Sequence, residues 1–252
     1  MDTRDLLICM YRALDRFFGP LQWWPGDTPF EVAVGAILTQ NTNWANVQKA
    51  IGRIKERGAL SPVPLYGLDQ ADLEELIRPS GYYRVKARRL KAFLEVLCEG
   101  FGGDLDAMLA GELQDVRRRL LSIAGIGEET ADSILLYAGG RPVFVVDAYT
   151  RRILERHGML EGRHSYGEIQ RRFLEALPPE AELYNQYHAL IVEAGKRFCR
   201  KEPRCGQCPL QGISKGVRRA GKGGLQATGS QSCSSGKKFL KRGSGKNVTR
   251  SS

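Results

Sequence analysis

Apolar residues recur at helical spacing along most of the chain, and polar residues between them supply starts and stops. Met1 to Phe18 carries Asp2, Arg4, Asp5, Arg12, Asp15 and Arg16 among its apolar positions, which predicts an amphipathic helix. Thr28-Pro29-Phe30-Glu31 reads as a capping box with proline at the first helical position, followed by Val32, Val34, Ile37 and Leu38. Asn43 caps a helix running to Arg57, with Gly58 as its stop. Asp69 opens a short helix that ends before Pro79, and Tyr82 to Leu97 makes a longer one. Asp115–Leu121, Glu128–Ala138 and Ala148–His157 follow, then a capping box at Ser165 and Glu168, then a last long helix over Glu180–Phe198. The run Val143 to Val146 is strand-like, but nothing nearby offers it a partner. The chain is predicted to be all-α.

Composition narrows the class. With 252 residues, 42% of them hydrophobic and 26% charged, the chain can bury a core and is not disordered throughout. No stretch approaches about 18 consecutive apolar residues, so no membrane span is expected. The first helix lacks the uninterrupted apolar core of a signal peptide, which predicts a cytoplasmic protein. The net charge of +10 suggests a nucleic-acid partner, but its distribution does not. Ten of the 38 basic residues lie from Ser214 to Ser252 with no acidic residue among them, and the other 28 match the 28 acidic ones. The basicity belongs to a Gly/Ser-rich tail over 214–252, which is expected to be disordered. It adds non-specific phosphate affinity or is simply a solvated extension.

Chemistry concentrates in Leu120-Leu121-Ser122-Ile123-Ala124-Gly125-Ile126-Gly127-Glu128-Glu129-Thr130-Ala131-Asp132. One helix runs into Gly-Ile-Gly and another begins at once. Two glycines let the backbone turn tightly and expose amides, while Ile126 anchors the turn. Exposed amides beside a helix N-terminus suit a phosphate oxygen, although an ordinary glycine turn between helices reads the same. Twenty residues after Gly127, Asp147 leaves the apolar run at the start of a helix. It is either a simple N-cap or a carboxylate held by amides against an apolar wall.

Together, the hairpin at about 114–138, the Gly139-Gly140/Pro142 loop and Val146-Asp147 resemble the endonuclease III superfamily of DNA glycosylases, over about residues 20–210. The resemblance implies a two-lobed fold with DNA in the cleft. Residues 27–137 would form a helical barrel, and 1–26 with 138–213 the second lobe. It makes Asp147 the catalytic carboxylate, stabilising the cationic sugar that forms as the N-glycosidic bond breaks. Bifunctional members carry a Lys two residues after the second hairpin glycine, where it forms a Schiff base with the sugar. Here that position is Glu129, which cannot form an imine, so a glycosylase without lyase activity is expected.

Leu21-Gln22-Trp23-Trp24-Pro25 and Ile37-Leu38-Thr39-Gln40-Asn41-Thr42-Asn43-Trp44 hold all three tryptophans. Tryptophan is often core, but aromatic faces also stack on a flipped, electron-poor alkylated base. The arrangement resembles the bacterial 3-methyladenine branch of the superfamily, which also carries Gly-Ile-Gly-x-Glu. That implies a base pocket of Trp23, Trp24, Pro25 and Trp44. Gln40 matches the residue that fills the gap left by the flipped base, and reads alternatively as a helix C-cap. With Gly125, Ile126, Gly127, Glu129 and Thr130 it makes the expected DNA-binding set. Gly81-Tyr82-Tyr83-Arg84-Val85-Lys86-Ala87 also resembles the superfamily, or is a helix start with a solvated basic face.

Cys9 and Cys98 lie in helical patterns and read as buried thiols. Cys199, Cys205 and Cys208 are spaced for a metal, and the resemblance implies a 4Fe–4S cluster in this loop. The fourth ligand is expected near Ser214, where no cysteine stands; Ser214 or Cys233 could complete the set. Zinc on three cysteines is the alternative. The expected function is removal of alkylated purines such as 3-methyladenine from double-stranded DNA by a monomer. The alternatives are a glycosylase/lyase acting on oxidised pyrimidines and a non-catalytic hairpin DNA binder.

Overall fold

The computed structural model describes residues 2–21 and 26–214, and among them it contains twelve α-helices and no β-strand. These are α1 (Thr3–Phe18), α2 (Pro29–Leu38), α3 (Trp44–Glu56), α4 (Pro62–Gly67), α5 (Gln70–Ile77) and α6 (Tyr83–Phe101). They continue with α7 (Leu105–Leu109), α8 (Leu113–Leu121), α9 (Glu128–Ser133), α10 (Ala148–Arg156), α11 (Tyr166–Ala176) and α12 (Ala181–Arg197). A π turn over Ile134–Ala138 extends α9.

Local chemistry sets most of these starts. Asp2, Asn43 and Asp69 each accept the N–H three residues on, and Ser165 with Glu168 forms the full reciprocal box. The box at Thr28 forms only by half. Thr28 Oγ1 accepts the Glu31 N–H at 3.1 Å, but the Glu31 carboxylate accepts from Asp27 N at 3.1 Å and pairs with Lys55 Nζ at 2.9 Å. Packing of α3 against α2 supplies that lysine. Tyr82 adopts a left-handed conformation, φ 48°, so α6 starts at Tyr83 and runs past the expected end to Phe101.

Two helices form the interior. Nine of the ten residues of α2 are buried, as expected for a helix apolar on every side. The α12 helix buries ten residues from Leu183 to Gly195. The π turn touches both, and α2 also meets α3, α6 and α9, while α12 meets α1 and α10. Gln186 on α12 pins the start of the chain: it accepts the Leu21 N–H at 2.9 Å and donates to Asp15 Oδ1 and Gly19 O. All described residues fall within one compact unit, and no helix among them is long and apolar enough to cross a membrane. Cys98 is a half-buried free thiol, and Cys9 lies on the buried face of α1.

Gly195 lets α10 and α12 cross closely. A Cβ there would stand 2.3 Å from the Tyr149 ring, two residues from Asp147. Gly195→Ala is therefore expected to cost about 1–3 kcal/mol, read as a lowered urea midpoint. An unchanged midpoint would mean that the ring moves aside freely.

Candidate active site

The turn between α8 and α9 is built on two buried isoleucines, Ile123 and Ile126. Gly125 has φ +86°, and a Cβ there would lie 2.2 Å from Arg89 Cγ, so both backbone and space require glycine. Gly127 is the extended N-cap of α9. Ala124, Gly125, Gly127, Glu128 and Glu129 are exposed, and the first amides of α9 have no intrahelical carbonyl to meet.

Gln40 follows α2 and is tied to this turn. Its Nε2 donates to Thr130 Oγ1 at 2.8 Å and to Gly125 O at 3.2 Å, and its Oε1 accepts from Arg89. The α2 C-terminus is satisfied instead by Thr39, whose hydroxyl donates to Gly35 O, and by buried Lys86, whose Nζ donates to Leu38 O at 2.9 Å. Thr130 is buried, with its hydroxyl engaged by Gln40. Burial, and secondly Arg89, lower the Lys86 pKa to about 8.

Asp147 is the N-cap of α10. Its Oδ1 accepts from Thr150 N at 2.7 Å and Thr150 Oγ1 at 2.9 Å, and only 12% of the side chain is exposed. Its Oδ2 lies 3.6 Å from Nε2 of His188 on α12. His188 Nδ1 in turn lies 2.6 Å from the Tyr137 hydroxyl in the π turn. Burial lowers the His188 pKa against the opposing pull of Asp147, which favours the neutral imidazole.

The extended run before Asp147 finds its hydrogen bonds in side chains. Tyr166 OH accepts from Val146 N at 3.2 Å, and Gln170 Nε2 donates to Phe144 O at 2.7 Å. Both reach from α11. Behind them, fully buried Asp132 takes Arg117 Nε at 2.7 Å, Arg117 Nη2 at 3.1 Å and Gln170 Nε2 at 2.7 Å. Phe144 stacks on Phe173, centroids 3.8 Å apart. The run thus needs no strand partner, as its sequence suggested.

Glu129, at the start of α9, is accessible to water yet has protein packed around it. Lost hydration, and secondly the charge of Asp147, push its pKa up to about 7. Trp44 opens α3, half-buried against the core. Trp23, Trp24 and Pro25 lie outside the described residues, as does Cys233. The structure therefore joins Gln40, Gly125 and Thr130 in one cluster and couples Glu129 to Asp147. Sequence reasoning missed Arg89, Tyr137 and His188. Only His188 left a trace, as a polar residue in the buried stripe Tyr184, Tyr187, His188, Ile191.

Burial, and after it the neighbouring Cys199 and Cys205, push the Cys208 thiol up, so the three cysteines are neighbours without forming a closed metal set. Among the described residues no group of three His, Cys, Asp or Glu side chains can hold a metal ion. Cys199 is buried with its sulfur 3.3 Å from Arg156 Nη1, while the turn over Cys205–Gln207 leaves Cys205 exposed and Cys208 half-buried. Three thiols are one ligand short of the expected cluster, and Ser214, at the expected fourth position, is an exposed hydroxyl.

Residues 34–179 match the family model of the HhH-GPD superfamily base excision DNA repair proteins. A provisionally named DNA repair glycosylase of Methanocaldococcus jannaschii is 45% identical over 82% of this chain and 94% of its own length. The endonuclease III of Thermotoga maritima is 32% identical over 77% of this chain and 86% of its own. A solved Helicobacter pylori 3-methyladenine DNA glycosylase, bound to 1,N6-ethenoadenine, superposes with a TM-score of 0.67 at 28% identity. That match covers 78% of this chain and 98% of the other.

Proposed function

Because the chain belongs to the HhH-GPD superfamily of base excision DNA repair proteins and is accordingly a DNA N-glycosylase, we propose that it hydrolyses the N-glycosidic bond of alkylated purines such as 3-methyladenine in double-stranded DNA, releasing the free base and leaving the strand intact. The carrying observation is Asp147, a carboxylate capped on one oxygen by Thr150 and nearly buried. As the glycosidic bond breaks, the sugar gains positive charge, and a fixed carboxylate beside it stabilises that charge and orients water. Purines alkylated at N3 or N7 are cationic and already good leaving groups, so this carboxylate with base stacking suffices for them.

Glu129 stands where a Schiff-base lysine would be needed, and a carboxylate forms no imine. The alkylated-purine reading draws support from Trp23-Trp24-Pro25 and Trp44 as a stacking pocket, and from likeness to the Helicobacter pylori enzyme named for 3-methyladenine. In this reading Gly125, Ile126 and Gly127 present backbone amides to a phosphate. Gln40 leaves Thr130 and Gly125 to fill the gap in the duplex. Residues 27–137 form one lobe, residues 1–26 with 138–213 the other, and DNA lies between them.

Parallel digests of methylated and of oxidised-pyrimidine duplexes test the substrate class. Free methylated purines from the first, with no base released from the second, are expected. The reverse pattern would select an endonuclease III-like lyase.

The Cys199, Cys205 and Cys208 thiols have the soft chemistry of a 4Fe–4S donor set one ligand short. Ser214→Cys supplies a thiol at the expected spacing and should raise bound iron and labile sulfide after anaerobic reconstitution. Equal, full iron in the unmodified protein would mean that another ligand already completes the set.

A further inference from the structure

Asp147 is held on one oxygen by its own helix, and the other oxygen faces a residue to which nothing so far gives a role. We infer that His188 and Tyr137 are positioning residues for Asp147: the Tyr137 hydroxyl donates to His188 Nδ1, which directs an Nε2–H toward Asp147 Oδ2. This rests on the reading of Asp147 as the catalytic carboxylate.

The contacts are 2.6 Å from Tyr137 oxygen to Nδ1 and 3.6 Å from Nε2 to Oδ2. The opposite tautomer would put the Nε2 lone pair against a carboxylate oxygen in a nearly dry site, two acceptors face to face. The Nε2–H tautomer removes that repulsion, and a slight closure on substrate makes the contact a hydrogen bond.

Neutrality matters as much as the tautomer. An imidazolium would cancel the carboxylate's charge just where a cationic sugar must be stabilised. The neutral ring orients Oδ2 and leaves the charge in place. Burial on α12 disfavours the imidazolium, and a Tyr137 hydroxyl that donates to Nδ1 stabilises the neutral ring. The ring is walled by Phe144, whose centroid lies 6.4 Å away. Among the described residues, Asp147 is the charged group acting on the imidazole, Asp147 also acts on Glu129, and Tyr137 is the neighbouring titratable hydroxyl.

Two measurements test this. Long-range proton–nitrogen NMR of the unliganded, full-length protein should show His188 as the neutral Nε2–H tautomer at neutral pH; an Nδ1–H tautomer or an imidazolium would overturn the inference. The second is single-turnover base release from dimethyl-sulfate-treated duplex as a function of pH. Tyr137→Phe keeps the ring and should move the acidic limb of the profile to higher pH, because the imidazolium then forms more readily. His188→Leu should slow release by about 10- to 100-fold, with partial rescue by His188→Gln, whose amide still donates. If Asp147→Asn abolishes release while Tyr137→Phe and His188→Leu leave rate and profile unchanged, the inference fails and the Asp147 reading stands. If Asp147→Asn is fully active, that reading fails, and the NMR tautomer still decides the contact.

Discussion

Asp147→Asn is expected to slow base release from dimethyl-sulfate-treated duplex DNA by about 10²–10³-fold, or ~3–4 kcal/mol of transition-state stabilisation. The amide keeps the size of the carboxylate. Its oxygen can still accept the Thr150 N–H and hydroxyl, which reach Asp147 Oδ1 at 2.7 and 2.9 Å. The cap of α10 survives, so the melting temperature should hold while the charge beside the sugar disappears. Glu129 offers a second readout. Lost hydration and then Asp147 hold its carboxyl at about 7 against an ordinary 4.5. Removing the Asp147 charge should bring it down, though not to 4.5, because burial is the larger cause. A carbon-detected NMR titration of the Glu129 carboxyl reads that shift. The sign for stability follows from the same value. Glu129 is raised on folding, so its contribution is present below about 4.5 and is lost as pH rises through about 7. Full activity in Asp147→Asn would remove Asp147 from the chemistry.

Asp132→Ala should carry the largest stability cost, about 3–5 kcal/mol, against the 5–15 kcal/mol typical of a whole domain. Asp132 is fully buried and takes three hydrogen bonds, two from Arg117 and one from Gln170. Alanine leaves the Arg117 guanidinium, only 17% exposed, without its main counter-charge. Gln170 loses one of its two acceptors, and Tyr166 loses a neighbour of the hydroxyl that receives Val146 N. The damage therefore travels along the run that delivers Asp147. Urea unfolding measures the cost, and Tyr166→Phe should cost far less, about 1 kcal/mol. A loss below about 1 kcal/mol in Asp132→Ala would mean that solvent reaches Arg117 and substitutes for the carboxylate.

Helix starts were legible wherever a cap is a local event. Asn43, Asp69 and Ser165 sit beside the amides they accept, and the reading of each start from sequence agrees with the structure. The short helices α4 and α7 escaped notice for want of length. Five or six residues give no periodicity, and Pro62 at the first position opens α4 with no side-chain cap. Glu31 shows where local reasoning stops. Its spacing from Thr28 is that of a capping box, but Lys55 comes from another helix and takes the carboxylate.

The candidate site divides the same way. Asp147 is marked by its place at the end of an apolar run and the start of a helix. Tyr137 and His188 lie 51 residues apart, and no periodicity announces that their side chains meet. The same is true of Gln40 and the turn, 85 residues away at Gly125. Spacing in the cysteine loop suggested a metal set, and the described residues place three thiols there without a fourth ligand.

The central claim is base removal by a carboxylate without strand cleavage, and one reaction tests it most directly. An end-labelled, dimethyl-sulfate-treated duplex is digested and read twice, by chromatography for free base and on a denaturing gel without alkali, with borohydride present in a matched sample. The prediction is free 3-methyladenine, an unbroken strand that cleaves only on alkaline heating, and no protein–DNA adduct. Strand scission without alkali together with a borohydride-trapped adduct would contradict it and show that an amine of this chain attacks the sugar.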